Sequence, residues 1–453
     1  MNSKISLPKT SAKNKMEVMP ILPLILNMSI PPLCSMFLQY TYNFVDCIFV
    51  SWISEDALTA VSLSFPITTL MLAMSIGIGV GINVLISKNL GGKNFDEANS
   101  VVTHGLLIST VLGIILNLII LLIIKPYFRA IIQDYAIYSL ALKYMTICAF
   151  LQVPNMIHIA IQKIIQGTGN MVAPMLFQMA GVLLNFVLDP ILIFGFGPFP
   201  KMGIEGAAVS TVLGYTLSMI LAFYVLIFTR QKVKIKIYDF KINLEIFKNI
   251  VILGLPSFIM NALGAFMVSF ANMFLIVYST TAVAFFGAYF KAQQVVVMTV
   301  NGLIQGCIPI MSFNYGAKNR DRLLDTFKKG TIIAVLLMAF GSLLLAVFPR
   351  QVLKIFMASD SMMELGVPAL RIMVCSYIFN GISTMFASLM QSIGQVKYSV
   401  YINLSRQLVL LVPFMWIFTR FWGITGVWVA FPITEILTLL FCWHIYKKQE
   451  RWM

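Results

Sequence analysis

Twelve apolar stretches, each long enough to cross a bilayer as a helix, follow one another along this 453-residue chain, and no other feature limits its fold as strongly. Crossing roughly 30 Å of hydrocarbon takes about 20 apolar residues at helical rise. Lipid offers no partners for backbone N–H and C=O groups, so only helices or closed barrels span it, and the strict alternation of barrel strands is absent here. The chain is 59% hydrophobic and 11% charged, against an apolar share of about 45–50% in soluble domains. These observations predict an all-α polytopic membrane protein with twelve transmembrane helices. The spans fall near 22–50, 57–87, 97–124, 135–162, 171–196, 204–229, 250–278, 282–312, 325–348, 352–389, 397–419 and 424–446.

The formal charge of +15 is a topology signal rather than a nucleic-acid footprint. With a cytoplasmic N-terminus, most of the basic residues fall on one side, among them Lys15, Lys88, Lys93, Lys163, Arg230, Lys232, Lys234, Lys236, Lys318, Arg320, Lys397 and Lys447. The opposite loops carry only Lys125, Arg129, Lys201, Arg350, Lys354 and Arg420. The positive-inside rule then puts both termini in the cytoplasm. No nucleic-acid partner is expected.

Internal repetition organises the spans. At a shift of 225 residues Pro31 maps to Pro256, Gly91-Gly-Lys-Asn94 to Gly316-Ala-Lys-Asn319, Gly105 to Gly330, Gln166 to Gln391 and Gly169 to Gly394. Gly203-Ile-Glu-Gly206 matches Gly423-Ile-Thr-Gly426 at 220. Repeats with an even number of spans insert in the same orientation, giving two pseudo-symmetric six-helix bundles around a central cleft, an architecture suited to alternating access. The expected division is a cytoplasmic tail over 1–20, an N-terminal lobe over 21–230, an interfacial linker over 231–249 and a C-terminal lobe over 250–453. One chain contains both lobes, so a monomer suffices.

Two acids stand deep in apolar stretches of the first half, Asp46 and Asp189, and neither repeat equivalent is acidic. A carboxylate at a bilayer centre costs about 2.5–3.5 kcal/mol on insertion scales, which marks it as a functional candidate. Gln39, Tyr42, Asn43 and Asp46 fall at i, i+3, i+4 and i+7, a polar stripe on one helical face. Pro31-Pro32, upstream in the same span, permits a kink. Asn185 and Asp189 are one turn apart, and Pro190 frees a carbonyl near Asn185. Such hard oxygens suit Na⁺, and the carboxylates alone suit H⁺.

Other intramembrane charges carry weaker signals. Lys291 and Glu435 could form a structural pair, Arg406 and His158 lie in apolar spans, and Lys201 and Glu205 flank a short outer loop that they would cap. The six cysteines have no spacing of a disulfide framework or metal site. There is no phosphate-binding G-x-x-x-x-G-K-[ST] loop, H-E-x-x-H or G-x-S-x-G, so the chain is not expected to be an ATP-driven pump or any enzyme, and no cofactor is implied. Carriage of a solute driven by an ion remains. The 28 methionines and 35 phenylalanines offer adaptable surface for varied compounds.

Several segments together resemble the multidrug and toxic compound extrusion (MATE) transporters, particularly their MepA-like bacterial branch. They are Phe44-Val-Asp-Cys-Ile-Phe-Val50, Ala57-Leu-Thr-Ala-Val-Ser-Leu-Ser-Phe-Pro66, Gln166-Gly-Thr-Gly-Asn170, Asn185-Phe-Val-Leu-Asp-Pro190, Gly203-Ile-Glu-Gly-Ala-Ala208 and Phe313-Asn-Tyr-Gly-Ala-Lys318. The resemblance implies a multidrug efflux antiporter in the bacterial cytoplasmic membrane. It would export amphipathic, mostly cationic compounds in exchange for H⁺ or Na⁺. It also implies an ion or proton site at Asp46, Asn185, Asp189 and Thr211, and places Pro31, Gln39 and Tyr42 at positions associated with first-helix bending and the N-lobe pocket. Helices seven and ten, around 262–277 and 373–389, lack acids, which speaks against an ion site in the C-terminal lobe. The alternative is a flippase for a lipid-linked precursor. That activity needs a strongly basic cavity, whereas the interior cations here are chiefly Lys291 and Arg406.

Overall fold

Serine caps and left-handed turns set where the helices begin and end, and they do so twice. In the computed structural model, which describes residues 14–236, 240–356 and 358–449, Ser54 caps one long helix by accepting from the Ala57 N–H, and Ser279, 225 residues on, caps its counterpart by accepting from the Ala282 N–H. The turn after each of these helices places a lysine in the left-handed region, Lys93 at φ 62° and Lys318 at φ 55°. Gly169 and Gly394 at φ 94° and 82°, and Gly203 and Gly423 at φ 58° and 57°, repeat in the same way. The internal repetition is thus carried by turn geometry that few residue types adopt readily.

The N-terminal bundle contains α1 (Lys15–Val18), α2 (Ile21–Ser51), α3 (Glu55–Gly91), α4 (Phe95–Ile131), α5 (Tyr135–Gly167), α6 (Val172–Phe194) and α7 (Ile204–Phe228). The C-terminal bundle contains α8 (Leu244–Leu275), α9 (Thr280–Gly316), α10 (Arg320–Val347), α11 (Pro349–Ile355), α12 (Asp360–Met373), α13 (Ser376–Ser392), α14 (Val396–Leu404), α15 (Leu411–Trp422) and α16 (Ile424–Gln449). Among the described residues eleven helices have the length and hydropathy of a span, counting α14 to α15 as one, and the α12–α13 pair, bent by 43°, makes the twelfth. Most of the tail expected over 1–20, with Lys4, Lys9 and Lys13, lies outside the described residues, as does Arg451.

The tenth span differs from expectation. Residues 352–389 do not form one helix: α11 ends, Ser359 caps α12, and the helix bends between Met373 and Ser376. The Val374 carbonyl at the bend accepts from Ser342 Oγ at 2.9 Å. The eleventh span holds a π-helical turn at Ser405–Val409, closed by a 2.9 Å bond from Leu410 N to Ser405 O.

The bundles meet along a seam in which α3 packs on α8 and α9, and α2 on α9. Backbone-to-backbone approach lies toward the end carrying the α7–α8 connection, which is strapped to α4 by bonds from Lys234 N to Asn99 Oδ1, Lys236 N to Thr103 Oγ1 and Asn243 N to His104 Nε2, while farther along the seam Tyr40 Oη of α2 donates to Gln294 Oε1 of α9 at 3.1 Å. At this strap end backbone meets backbone. A methyl group on Gly91 would strike the Phe313 carbonyl, one on Gly316 the Lys88 carbonyl, and one on Gly254 the Gly77 carbonyl. Ser29 Oγ also donates across the seam to Leu303 O at 3.3 Å. Toward the far end, Gly264 of α8 and Gly287 of α9 face open space, while Phe37 and Phe44 of α2 are exposed. The cleft is therefore closed at the strap end and splayed at the other.

The pairing of Lys291 with Glu435 is not found. Lys291 is exposed, and Glu435, 7% exposed, pairs instead with Arg406, whose Nε lies 3.3 Å from Glu435 Oε1. Asn380 Nδ2 donates to the same oxygen at 2.9 Å, and Arg406 Nη1 donates to Thr384 Oγ1 at 2.5 Å. Arg406 lies in the π turn, on a helix that packs against α16. Glu205 is likewise more than a loop cap, forming a 3.0 Å ion pair with Lys143 of α5.

Two outcomes follow. Gly316→Val should wedge the strap end open, lengthening the distance between spin labels at Glu97 and Asp321 measured by pulsed electron resonance. Arg406→Leu strands a buried carboxylate and should lower stability by about 3–5 kcal/mol, read as an earlier thermal unfolding midpoint in detergent, whereas Lys291→Ala should change it by no more than about 0.5 kcal/mol.

Candidate functional site

On α6, Gln178, Gly181, Asn185 and Asp189 recur at spacings of three or four and share one face. On α7, Ser210, Thr211, Gly214, Tyr215 and Ser218 do the same. The two helices cross where Gly181 and Gly214 touch; a Cβ on Gly214 would stand 2.8 Å from the Gly181 carbonyl oxygen. That approach brings Asn185 against Thr211, one turn from the crossing on either helix.

Asp189 is fully buried and accepts a short hydrogen bond from Ser210 Oγ. With the Asn185 amide turned so that its nitrogen faces the acid, that nitrogen lies 3.0 Å from both Asp189 oxygens, and its oxygen lies 2.9 Å from Tyr42 Oη and 3.3 Å from Thr211 Oγ1. Tyr42 Oη and Thr211 Oγ1 are 3.1 Å apart. Asp46, one turn after Tyr42 on α2, lies within electrostatic range of Asp189, and its Oδ1 is buried with no hydrogen-bond partner. Neither acid forms an ion pair among the described residues.

Next to this cluster a small pocket is lined by Gln39, Tyr42, His158, Gln178, Asn185 and Tyr215, among others. A run of amides crosses its wall. Gln162 Nε2 donates to Gln178 Oε1 at 2.7 Å, Gln178 Nε2 to Gln39 Oε1 at 3.1 Å, and Gln39 Nε2 to Tyr215 Oη at 3.2 Å. His158 packs edge-on against Phe177 and Tyr215 with both ring nitrogens buried and unpartnered.

The structure thus brings Asn185, Asp189, Thr211 and Tyr42 into one cluster, with Asp46 within electrostatic range of Asp189, and sets Gln39 in the adjoining pocket. Pro31 lies elsewhere, in the strap-end half of α2, where the following Leu33 fills the space left by Gly302 of α9. Asn43 is exposed and outside the cluster. Glu435 belongs to another part of the molecule, whereas Lys291 of α9 lies within electrostatic range of Cys47, the residue after Asp46, and forms no ion pair among the described residues. Ser210, Gln178 and Tyr215 were not singled out from the sequence, although the α6 stripe through Gln178 and the i, i+4 relation of Thr211 to Tyr215 marked their faces.

Two carboxylates, an amide oxygen and a threonine hydroxyl form a hard-oxygen set that suits an alkali cation or a proton rather than a soft metal. Among the described residues no three His, Cys, Asp or Glu side chains converge as metal ligands.

The MatE family model matches residues 31–191 and 256–417. The chain is 27% identical over 437 residues to the multidrug export protein MepA of Staphylococcus aureus, covering 94% of this chain and 93% of that protein. It is 25% identical over 434 residues to a FAD transporter of Shewanella oneidensis, covering 95% of each. Among solved structures, an outward-facing multidrug resistance MATE transporter of the MOP superfamily superposes with a TM-score of 0.91 at 26% identity, over 97% of this chain and 98% of that one. A MOP superfamily transporter from Pyrococcus furiosus gives 0.90 at 25% identity over the same shares. The chain belongs to the MATE family of multi-pass membrane transporters, which are not enzymes.

Proposed function

We propose that this transporter is a secondary active multidrug exporter, moving amphipathic, mostly cationic compounds outward in exchange for H⁺ or Na⁺ by alternating access of two lobes. The lobes are 21–230 and 250–453, joined by the linker 231–249. The single observation carrying the exchange is Asp46 Oδ1, buried without a partner beside a second carboxylate that forms no ion pair among the described residues. A charge left unpaired in low dielectric favours taking up a cation or proton, and a cationic cargo competes for the same field. Asp46, Asn185, Asp189 and Thr211 hold the ion, while Gln39 and Tyr42 connect the ion site to the cavity.

The strap end, with its run of lysines, is assigned to the cytoplasm together with both termini, in a bacterial cytoplasmic membrane. The described conformation is then open to the outside. Ion binding at the N-lobe acids must differ in affinity between the two facing states for exchange to occur. A monomer holds both lobes and needs no second copy.

Proteoliposomes with pH and Na⁺ gradients imposed separately identify the coupling ion, with ethidium movement as readout. Ethidium that moves under neither gradient removes the antiport reading. Asp189→Asn and Asp46→Asn should each leave the protein inserted while export falls at least about tenfold, the loss expected when a charge-assisted interaction of about 1.5–3 kcal/mol is removed.

A further inference from the structure

Lys163 lies near the strap end of α5 and by sequence counts with the topology lysines, yet it is only 6% exposed. Its ammonium does not reach solvent as an interfacial lysine does. Nζ donates to Gln166 Oε1 of its own helix at 3.0 Å and, across the seam, to Gln305 Oε1 of α9 at 2.8 Å. The stem is set by its neighbours: Gly79 of α3 leaves the space that Lys163 Cγ fills, and Asn83 Nδ2 clamps the Lys163 carbonyl at 3.0 Å. Gln305 is held in turn, its Nε2 lying 3.2 Å from Met36 Sδ of α2.

None of the ion pairs among the described residues includes Lys163. Two amide oxygens satisfy two of its three donors and neutralise none of its charge. A buried lysine serving only to hold helices together is expected beside a carboxylate, as Arg406 is beside Glu435. Lys163 instead sits where the two bundles separate if the strap end opens. On separation Gln305 leaves with α9, Gln166 stays on α5, and the ammonium is left facing the inward cleft with a coordination place free.

We propose that Lys163 is an anion subsite of the transport path, which takes the carboxylate or phosphate of an amphipathic cargo when the seam opens and exchanges it for Gln305 when the seam closes. The proposal rests on the alternating-access reading above and extends its cargo from cations to compounds that also bear an acidic group. The ammonium is a compact point charge on a flexible stem, suited to either anion. The amide of Gln305 is the weaker, neutral occupant, so the closed seam displaces the anion without leaving the cation bare.

The test uses matched pairs on the purified full chain: rhodamine B against its ethyl ester, which differ in one carboxylate, and riboflavin 5′-phosphate against riboflavin. Lys163→Gln should lower the acid-to-ester or phosphate-to-alcohol ratio of kcat/KM about tenfold to a hundredfold, and Lys163→Arg should restore most of it. The rhodamine arm reports a carboxylate and the flavin arm a phosphate. Gln305→Ala, which removes the competing occupant, should raise the same ratio of binding affinities in detergent. Ratios unchanged by Lys163→Gln in both arms, or unchanged by Gln305→Ala, overturn the subsite. Gradient-driven movement of the rhodamine ester by the wild type tests the exporter reading separately, so the two fail by different observations.

Discussion

A carboxylate oxygen kept from water with nothing to bond is the constraint around which the N-terminal bundle is organised. Asp189 has Asn185 one turn earlier on its own helix, and Ser210 reaches it because two glycines let α6 and α7 come within backbone contact. Asp46 enters from α2 and completes the cluster without completing its own hydrogen bonding. A buried carboxylate oxygen without a hydrogen-bond partner, beside a second acid that has no ion pair among the described residues, is a candidate ligand position.

The two bundles share a frame and treat charge differently within it. Glu435 stands at the repeat equivalent of Tyr215 at the 220-residue shift, and there the C-terminal bundle supplies its own cation through Arg406. An acid matched inside the protein has little use for an ion from outside. The N-terminal bundle has no such arginine, since the position 225 before Arg406 is Gly181, the residue that lets α6 and α7 meet. The same location in the repeat thus serves close packing in one half and charge neutralisation in the other.

Helix count, repeat register and the acid pair were legible because each has a local signature: an apolar run, a glycine or lysine in a special turn, a carboxylate among hydrophobes. The stripe on α6 could be read as far as Asn185 and Asp189, and family resemblance added Thr211. What could not be read depends on which helices touch. Ser210 is one serine among many until α7 lies on α6, and Arg406 could not be chosen over Lys291 as the partner of Glu435 without the packing of the eleventh span on α16 and the π turn that interrupts it. Lys163 counts by sequence among the topology lysines because spacing alone does not tell a seam from a membrane interface. The break in the tenth span was missed because its apolar run continues through the bend.

The glutamine run across the cavity wall has a direction. Every amide nitrogen in it points toward Tyr215, so turning a single side chain would set nitrogen against nitrogen at one joint and oxygen against oxygen at the next. Reversal must therefore involve all three glutamines together, which gives the wall two orientations and makes intermediate ones costly. In the described orientation the Tyr215 proton is released from the run and free to point at whatever occupies the cavity. A cargo that needs an acceptor there would select the opposite polarity, so the wall would register the hydrogen-bonding character of its occupant as far away as Gln162, beside the lysine at the seam.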